Sequence, residues 1–266
     1  MKKMKNITVI TGATGGLGKA FSRLCVQKGY SVLLTGRSEE KLRLLKTELL
    51  SAYGNADVET VACDLSDELS RALLQRAMQA DGVRVERLIN VAGVDIQKAF
   101  AAYMQEKIVF QTRVNFEAPV ALCFTALQNR AERLEIVNVS SVSGLCPMPY
   151  FALYSATKGA LTSFSVSLRE ELRGQNVCVT AVVAGAMPTR DDVKAQIQGQ
   201  GLWGKLAVKS PEWVAEKSLA AVRRNKGKYV AGFWNKAMNV FLYLLPPSVK
   251  LRFIAKRWSK ISKDAF

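Results

Sequence analysis

Histidine is absent from this sequence of 266 residues. Its absence excludes Ser-His-Asp and Cys-His catalysis and every metal site that needs imidazole, so we expect no bound metal. Cysteine is scarce too, and the five residues form no CxxC pair and are odd in number. They predict free thiols in a reducing compartment, hence a cytoplasmic protein, rather than a disulfide framework. The cysteines are Cys25, Cys63, Cys123, Cys146 and Cys178.

Long apolar runs are absent as well. No stretch reaches the roughly 18 to 20 apolar residues that a membrane span needs. The apolar run at residues 7–10, which follows the basic N-terminus, is too short for the core of a signal peptide. We therefore expect a chain that is soluble or peripheral to a membrane.

Acidic residues are few beside the basic ones. The 22 Asp and Glu stand against 38 Lys and Arg, which gives a net charge of +16. This excess favours anionic partners such as nucleic acid, anionic lipid or anionic small molecules. A nucleic-acid interface would concentrate the basic residues on one surface with aromatic residues between them. Outside the C-terminal tail they are dispersed along the chain, so we expect no nucleic-acid partner.

Short β-branched apolar runs alternate with helix-length segments from the first residues to about residue 230. This alternation predicts a doubly wound α/β fold of Rossmann type, with about seven parallel strands and helices on both faces. We expect one Rossmann-type domain over residues 1–234, with residues 235–266 as a helical C-terminal extension of the same domain. The predicted strands are residues 7–10, 31–35, 58–62, 87–91, 134–139, 177–183 and 228–230, and three of the predicted helices are residues 17–28, 41–52 and 69–79.

A glycine-rich loop, Thr11-Gly12-Ala13-Thr14-Gly15-Gly16-Leu17-Gly18, follows the first predicted strand and opens the first predicted helix. There Gly12 permits a tight turn, Gly16 lets the backbone approach a pyrophosphate, and Gly18 allows close packing of helix on strand. The amides at the start of the helix would bind the anion. The alternative is a glycine-rich turn without a ligand.

The end of the second predicted strand favours NADP over NAD. A chain that selects NAD is expected to place Asp or Glu there, against the ribose 2′-hydroxyl. This sequence has Thr35-Gly36-Arg37 instead, and the planar guanidinium of Arg37 is suited to a 2′-phosphate. A solvated arginine at a helix start is the alternative.

Tyr154 and Lys158 are four residues apart at the start of a helical segment, so both project from one face of it. A nearby ammonium lowers the pKa of a tyrosine, which could then exchange a proton with an alcohol or carbonyl oxygen. Upstream, the fifth predicted strand ends at Ser140-Ser141, where ligands meet open α/β sheets.

Together these motifs resemble the short-chain dehydrogenase/reductase family over roughly residues 5–230. The TGxxxGxG loop matches residues 11–18, the YxxxK pair matches Tyr154 and Lys158, and the serine thirteen residues before the tyrosine falls on Ser141. The helix asparagine of the family matches Asn115, and the aspartate that borders the adenine matches Asp64.

The resemblance implies a hydride transfer between NADP(H) and a carbonyl or alcohol carbon. Tyr154 would exchange the proton, Lys158 would hold the nicotinamide ribose and Ser141 would orient the substrate oxygen. Asn115 would support a water-linked proton relay. The predicted cofactor contacts are Gly12, Thr14, Gly16, Leu17, Gly18, Arg37, Asp64, Leu65, Asn90, Ala92, Gly93, Tyr154, Lys158, Gly185 and Thr189.

The sequence departs from the family pattern at two places. The Asn-Asn-Ala-Gly segment of the family is Asn90-Val91-Ala92-Gly93 here, and its Pro-Gly after the sixth strand is Ala184-Gly185. Neither departure touches the residues assigned to proton transfer. Homo-oligomers are usual in the family, so we expect one here.

The resemblance also indicates where the substrate binds. Residues 187–209 correspond to the mobile substrate lid of the family and include Trp203. Leu145, Met148 and Phe151 lie between the serine and the tyrosine, and would line the pocket or belong to the core. These residues predict an apolar, extended or polycyclic substrate. The tail, which follows the Ser210-Pro211-Glu212 helix start, resembles that of family members that act on 3-oxoacyl thioesters and hydroxysteroids. This resemblance implies a lipid-like ketone as substrate, such as a 3-oxoacyl thioester or a steroid-like ketone, and thus a ketoreductase of lipid metabolism. A catalytically idle NADP-binding sensor or scaffold, or a lipid-surface-binding protein, is the alternative.

The tail carries a basic amphipathic segment. Leu251, Ile254, Trp258 and Ile261 share one helical stripe, and lysines and arginines surround it. Such a helix lies in a membrane interface or packs against its own domain or a second subunit. The sequence leaves these three alternatives open.

Overall fold

Seven parallel strands form one sheet with the order β3-β2-β1-β4-β5-β6-β7. The computed structural model describes residues 4–188 and 208–259. The predicted doubly wound α/β fold is confirmed, since helices pack on both faces of this sheet. The strands are β1 (Lys5–Thr11), β2 (Val32–Gly36), β3 (Val58–Ala62), β4 (Val83–Asn90), β5 (Arg130–Ser141), β6 (Val177–Ala184) and β7 (Lys228–Val230).

The predicted strands are confirmed, with differences at their ends. β3 and β7 have the predicted bounds, whereas β4 begins at Val83, four residues before its predicted start, and β5 begins at Arg130. The missed starts, residues 83–86 (VRVE) and 130–133 (RAER), are half or more charged, and charges interrupt the apolar run by which a strand is predicted. Arg87 and Glu135, which the predicted strands include, pair inside the sheet at 2.8 Å, each almost fully buried. The ion pair satisfies both side chains.

The three helices with predicted bounds are confirmed to within two residues at each end, and caps explain several helix starts. Ser38, Asp67 and Ser210 each accept a hydrogen bond from the backbone amide three residues ahead, which satisfies one of the free donors at a helix start. The helices are α1 (Gly16–Gln27), α2 (Glu39–Ala52), α3 (Glu68–Met78), α4 (Gln105–Thr112), α5 (Ala118–Gln128), α6 (Ala152–Glu171), α7 (Pro211–Arg223), α8 (Phe233–Leu244) and α9 (Pro247–Trp258).

The sheet order reverses between β1 and β4. In open α/β sheets such a reversal leaves a crevice at the carboxyl ends of the strands, where ligands bind. The glycine-rich loop follows β1, and the segment that begins at Asn90 follows β4. The fold therefore brings both predicted cofactor segments to one crevice.

The C-terminal tail packs against the domain. α8 begins at Phe233, two residues before the predicted start of the extension, and the division at residue 234 stays a prediction. In α9, Ile254 is buried and Trp258 is half-buried, so the predicted apolar stripe faces the protein. Ile261 lies outside the described residues. Over the described ranges, the helices are all too short or too polar to cross a bilayer.

Candidate active site

The glycine-rich loop forms a tightly packed turn between β1 and α1. Gly12 has φ of +62°, and a Cβ there would lie 2.9 Å from the backbone of Ala92. A Cβ on Gly18 would lie 2.0 Å from the carbonyl oxygen of Gly12, so Gly18 has no room for a side chain. The N-cap of α1 is Gly15, which offers no side-chain acceptor to the first amides of the helix. Those amides remain suited to a pyrophosphate.

Thr11 joins the two halves of this crevice. Its hydroxyl accepts hydrogen bonds from the backbone amides of Val91 and Ala92, at 3.1 and 3.2 Å. A β1 side chain thus fixes the loop that follows β4, beside the glycine turn. Thr14 lies against Gly36, where a Cβ would be 3.3 Å from the Thr14 hydroxyl, so the glycine loop also contacts the end of β2.

Arg37 lies just beyond β2 and is exposed. Its guanidinium carbon is 5.8 Å from the centre of the Phe110 ring, in a cation–π arrangement. Asp64, beyond β3, accepts hydrogen bonds from the amide and the hydroxyl of Ser66, at 2.8 and 2.6 Å. The predicted 2′-phosphate and adenine residues therefore lie at the ends of adjacent strands.

Tyr154 and Lys158 occupy the first turns of α6, as the spacing predicts. The Lys158 ammonium is 5.9 Å from the centre of the Tyr154 ring. It is almost fully buried and donates a 2.9 Å hydrogen bond to the carbonyl of Val139. A Cβ on Gly93 would lie 3.1 Å from this ammonium. The ammonium thus lies between the tyrosine and the loop that follows β4.

Burial lowers the pKa of Lys158 from 10.5 to about 8, and the negative charge of Asp95 opposes the shift. Removal of the ammonium from water disfavours its charged form. The ion pairs among the described residues leave Lys158 without a carboxylate within salt-bridge distance. The buried charge of Lys158 therefore costs free energy, and such perturbed groups are frequent at functional sites.

Asn115 is fully buried in a π-helical turn, Arg113–Glu117, between α4 and α5. Its oxygen accepts from the amide of Val94 at 2.7 Å, and its nitrogen donates to the Val94 carbonyl at 2.9 Å. A third bond, at 3.2 Å, reaches the hydroxyl of Thr157 in α6. Asn115 therefore connects the loop after β4 to the helix that carries Tyr154 and Lys158.

The two serines at the end of β5 have different surroundings. Ser140 is buried, and its hydroxyl donates to the carbonyl of Lys158 at 2.8 Å and accepts from Thr162 at 2.7 Å. Ser141 is half-buried and accepts from the amide of Ser143 at 3.1 Å. Ser140 thus holds α6 against the sheet, while the Ser141 hydroxyl can still donate its proton to a ligand.

The sequence was compared with a family model described as short chain dehydrogenase, which matches residues 6–198. The chain belongs to the short-chain dehydrogenase family. It is 32% identical to dehydrogenase/reductase SDR family member 7B of Xenopus laevis, over 97% of this chain and 83% of that protein. It is 31% identical to an acetoacetyl-CoA reductase of Acinetobacter, over 86% of this chain and 94% of that one.

Solved structures share the fold of this short-chain dehydrogenase. A 7β-hydroxysteroid dehydrogenase superposes with a TM-score of 0.83 at 24% identity, over 95% of this chain and 98% of that one. A short-chain dehydrogenase from Sphingobium yanoikuyae in complex with NADPH gives a TM-score of 0.71 at 22% identity, over 91% and 97% of the two chains. The family model confirms the resemblance inferred from the motifs, and the solved structures confirm the fold.

Aromatic rings stack beside Tyr154 in this short-chain dehydrogenase. The Phe151 ring stacks on the Tyr154 ring at 4.4 Å with an angle of 18°, and the Trp258 ring lies 6.3 Å from Phe151 at 26°. Leu145 and Met148 are half-buried in the segment that precedes Phe151. An α9 residue thus extends an apolar wall that begins at the predicted catalytic tyrosine.

Some predicted contacts have other partners or fall elsewhere. The Asn90 side chain is buried in the sheet, where it donates to Asn138 at 2.8 Å. Leu65 is buried as well. Gly185 packs on Asn235 so closely that a Cβ on the glycine would lie 2.5 Å from the amide nitrogen of the Asn235 side chain. Thr189 and Trp203 lie outside the described residues, so their predicted roles stay predictions.

Three residues near the site could not be assigned from the sequence. Thr157 lies inside the YxxxK motif and bonds Asn115, a role for which only its position next to Lys158 was a signal. Phe110, beside Arg37, and Trp258, beside Phe151, approach the site from α4 and α9. Both contacts join residues far apart in the chain, and no local pattern indicates them. Over the described ranges, Cys, Asp and Glu form no group of three that could hold a metal ion.

Proposed function

We propose that this short-chain dehydrogenase binds NADP(H) and transfers a hydride between nicotinamide and the carbonyl or secondary alcohol carbon of an apolar substrate. The observation that carries the proposal is the convergence of Tyr154 and Lys158 on the loop at Gly93, which Thr11 joins to the glycine turn. That convergence supports a site in which Tyr154 exchanges a proton directly beside a bound nucleotide.

The crevice fits a dinucleotide. Gly12 and Gly18 have no space for a Cβ, so the turn stays tight and holds the start of α1 close to the end of β1. The first amides of α1 have no side-chain acceptor at the N-cap, and they would bind the pyrophosphate. Arg37 would bind the 2′-phosphate, and its contact with Phe110 would hold its guanidinium beyond β2. Asp64 would border the adenine.

The proton transfer and the orientation of the substrate are assigned to side chains of the protein. Bound NADP(H) supplies or accepts the hydride. In the direction of reduction, the Tyr154 hydroxyl donates its proton to the carbonyl oxygen, and the Ser141 hydroxyl donates a hydrogen bond to the same oxygen. The Lys158 ammonium, in a site of low dielectric, stabilises the phenolate that forms. Asn115 fixes the Val94 backbone and supports a water-linked relay that returns the proton to Tyr154.

The substrate is proposed to be an apolar ketone or alcohol, such as a 3-oxoacyl thioester or a steroid-like compound. The stack of Phe151 on Tyr154, extended by Trp258, supports a flat or extended apolar partner. The acetoacetyl-CoA reductase and the 7β-hydroxysteroid dehydrogenase among the similar proteins favour the same classes by their names. The predictions of a homo-oligomer, a cytoplasmic location and a part in lipid metabolism remain predictions.

The cofactor is tested by titration of the purified protein with NADPH and NADH. We expect NADPH to bind tightly and Arg37→Ala to weaken NADPH far more than NADH. A matched control is Arg43→Ala, which removes an exposed arginine of α2 and should change neither affinity. Equal losses for both nucleotides in Arg37→Ala would contradict the assignment to the 2′-phosphate.

The reaction is tested by oxidation of NADPH with 3-oxoacyl thioesters, steroids and simple ketones. Tyr154→Phe should retain NADPH affinity and lose turnover by about 10²-fold or more, because general acid catalysis is removed. Trp258→Ala should raise KM for large apolar ketones and leave small ones unchanged. A Tyr154→Phe variant as active as the wild type would refute the assigned proton donor. No NADPH oxidation with any of the three classes, despite tight binding, would favour the catalytically idle sensor.

A further inference from the structure

The outward face of helix α8 is apolar. Phe233, Val240, Phe241 and Leu244 are 57–75% exposed, and their spacing places them on one side of the helix. The opposite side carries Asn235, which is buried and donates to the carbonyl of Ala231 at 2.6 Å. A helix at the surface of a globular domain normally has the reverse arrangement, with its apolar face toward the core.

Helix α9 anchors this arrangement. Its inward side carries Leu251, Ile254 and Trp258, of which Ile254 is buried and Trp258 reaches the Phe151 ring. Its outward side carries the exposed Val249 and Phe253. Exposed cations accompany these two side chains: Arg252, Lys256 and Arg257. Since α9 binds the domain with its own apolar stripe, the apolar face of α8 stays turned outward.

The positive charge of the C-terminal part of the chain indicates which partner would cover the outward face of α8. Residues 217–263 contain no Asp or Glu and twelve Lys and Arg. A second copy of the chain seated on the same face in a two-fold contact would bring like charges together, which is unfavourable. An anionic surface complements the same residues. Exposed aromatic and aliphatic side chains with cations around them are the arrangement of helices that lie in a membrane interface.

We propose that the pair α8–α9 lies in the interface of an anionic lipid membrane, with the outward face of α8 inserted between the headgroups. The basic side chains of α9 would contact the lipid phosphates and carboxylates. Asn235, on the inner side of α8, packs against Gly185 at the end of β6, and Trp258 extends the wall beside Tyr154. The bilayer would therefore lie near the edge of the sheet where the substrate enters. This proposal does not depend on the cofactor or on turnover.

The test is co-sedimentation of the full chain with vesicles of phosphatidylcholine, with and without phosphatidylserine. We expect binding to the vesicles with phosphatidylserine and weaker binding to phosphatidylcholine alone. Phe241→Ser combined with Leu244→Ser should lower the partition coefficient by about tenfold or more, because apolar side chains no longer enter the interface. Arg252→Gln and Lys256→Gln should each lower it about fivefold on the anionic vesicles only.

A matched control is Leu69→Ser combined with Leu73→Ser, which removes two exposed leucines of α3 and should leave vesicle binding unchanged. Equal unfolding midpoints in urea show that both double variants fold. Equal losses in the two double variants would overturn the proposal, as would a wild-type chain that sediments with neither vesicle. A lower oligomeric mass of Phe241→Ser/Leu244→Ser than of the wild type, measured without lipid, would also overturn it, because the apolar face of α8 would then be a subunit contact.

Discussion

Replacement of the buried Lys158 by methionine should stabilise the fold near neutral pH while it abolishes activity. The ammonium is buried, and burial lowers its pKa from 10.5 to about 8. This difference corresponds to about 3 kcal/mol of unfavourable free energy for the buried charge. Methionine keeps the length of the side chain and removes that charge. It also removes the hydrogen bond to Val139, at a cost of about 1 kcal/mol. The expected net gain is about 2 kcal/mol.

The sign of the pH dependence follows from proton uptake. Above about pH 8 the native Lys158 releases its proton, whereas the unfolded chain keeps it until about pH 10.5. Between these values the unfolded state binds more protons, so the free energy of unfolding of the wild type rises with pH relative to the variant. The advantage of Lys158→Met is therefore full below about pH 8. About 3 kcal/mol is lost by about pH 10.5, where the variant becomes the less stable protein by about 1 kcal/mol.

The measurement is urea unfolding of both proteins, without nucleotide, at several pH values across this window. A matched control is Lys41→Met, which replaces an exposed lysine of α2 and should give a difference that is small and independent of pH. A difference between wild type and Lys158→Met that stays flat with pH would show that the site does not oppose the charge. So would a variant that is destabilised at neutral pH.

Three further outcomes follow from the packing. Gly18→Ala should lower the free energy of unfolding by about 1–3 kcal/mol and abolish NADPH binding, because its Cβ would lie 2.0 Å from the carbonyl of Gly12. Gly54→Ala, with open space around it, is the control. Equal effects of the two variants in nucleotide titrations would contradict a role of the tight turn in binding. Asn115→Ala should lower the free energy of unfolding in urea by about 1–3 kcal/mol, because the buried amide of Val94 loses its partner. The Val94 carbonyl keeps its bond from Gln111, and the Thr157 hydroxyl keeps its bond to the Tyr154 carbonyl. A loss under 1 kcal/mol would mean that water replaces the amide. Cys146 is half-buried while the other thiols are buried, so it should react first with a thiol reagent, and faster labelling of another cysteine, located by mass spectrometry, would contradict this.

The order and type of the elements could be predicted from the sequence because each carries a local signal. β6 is buried along its whole length, and Ser210-Pro211 is a start signal that the structure confirms at α7. The strand starts at Val83 and Arg130 could not be predicted, because charged residues interrupt the apolar pattern there. The sequence also does not show that Arg87 pairs with Glu135 inside the sheet, because these residues lie on neighbouring strands but far apart in the chain.

The same distinction applies to the site. Tyr154 and Lys158 are close in the chain, and the helical period alone places them on one face. The contact of Asn115 with Thr157 and that of Phe151 with Trp258 depend on how helices pack. Periodicity predicts which face of an element is apolar, but it does not predict which other element that face will meet.

The tail shows why periodicity alone does not predict which face of α8 and α9 packs against the domain. In α9 the stripe with Ile254 and Trp258 is narrow and has cations on both sides, so burial against the domain is the arrangement that keeps those charges in water. The segment of α8 from residue 237 to 244 is apolar almost all round, and its pattern selects no inward side. With α9 packed on the domain and Asn235 bonded to Ala231, the remaining apolar side chains of α8 face outward. Their exposure to water is unfavourable, and many cations lie near them. An anionic membrane can cover these side chains and attract the cations, whereas another copy of the chain would repel them.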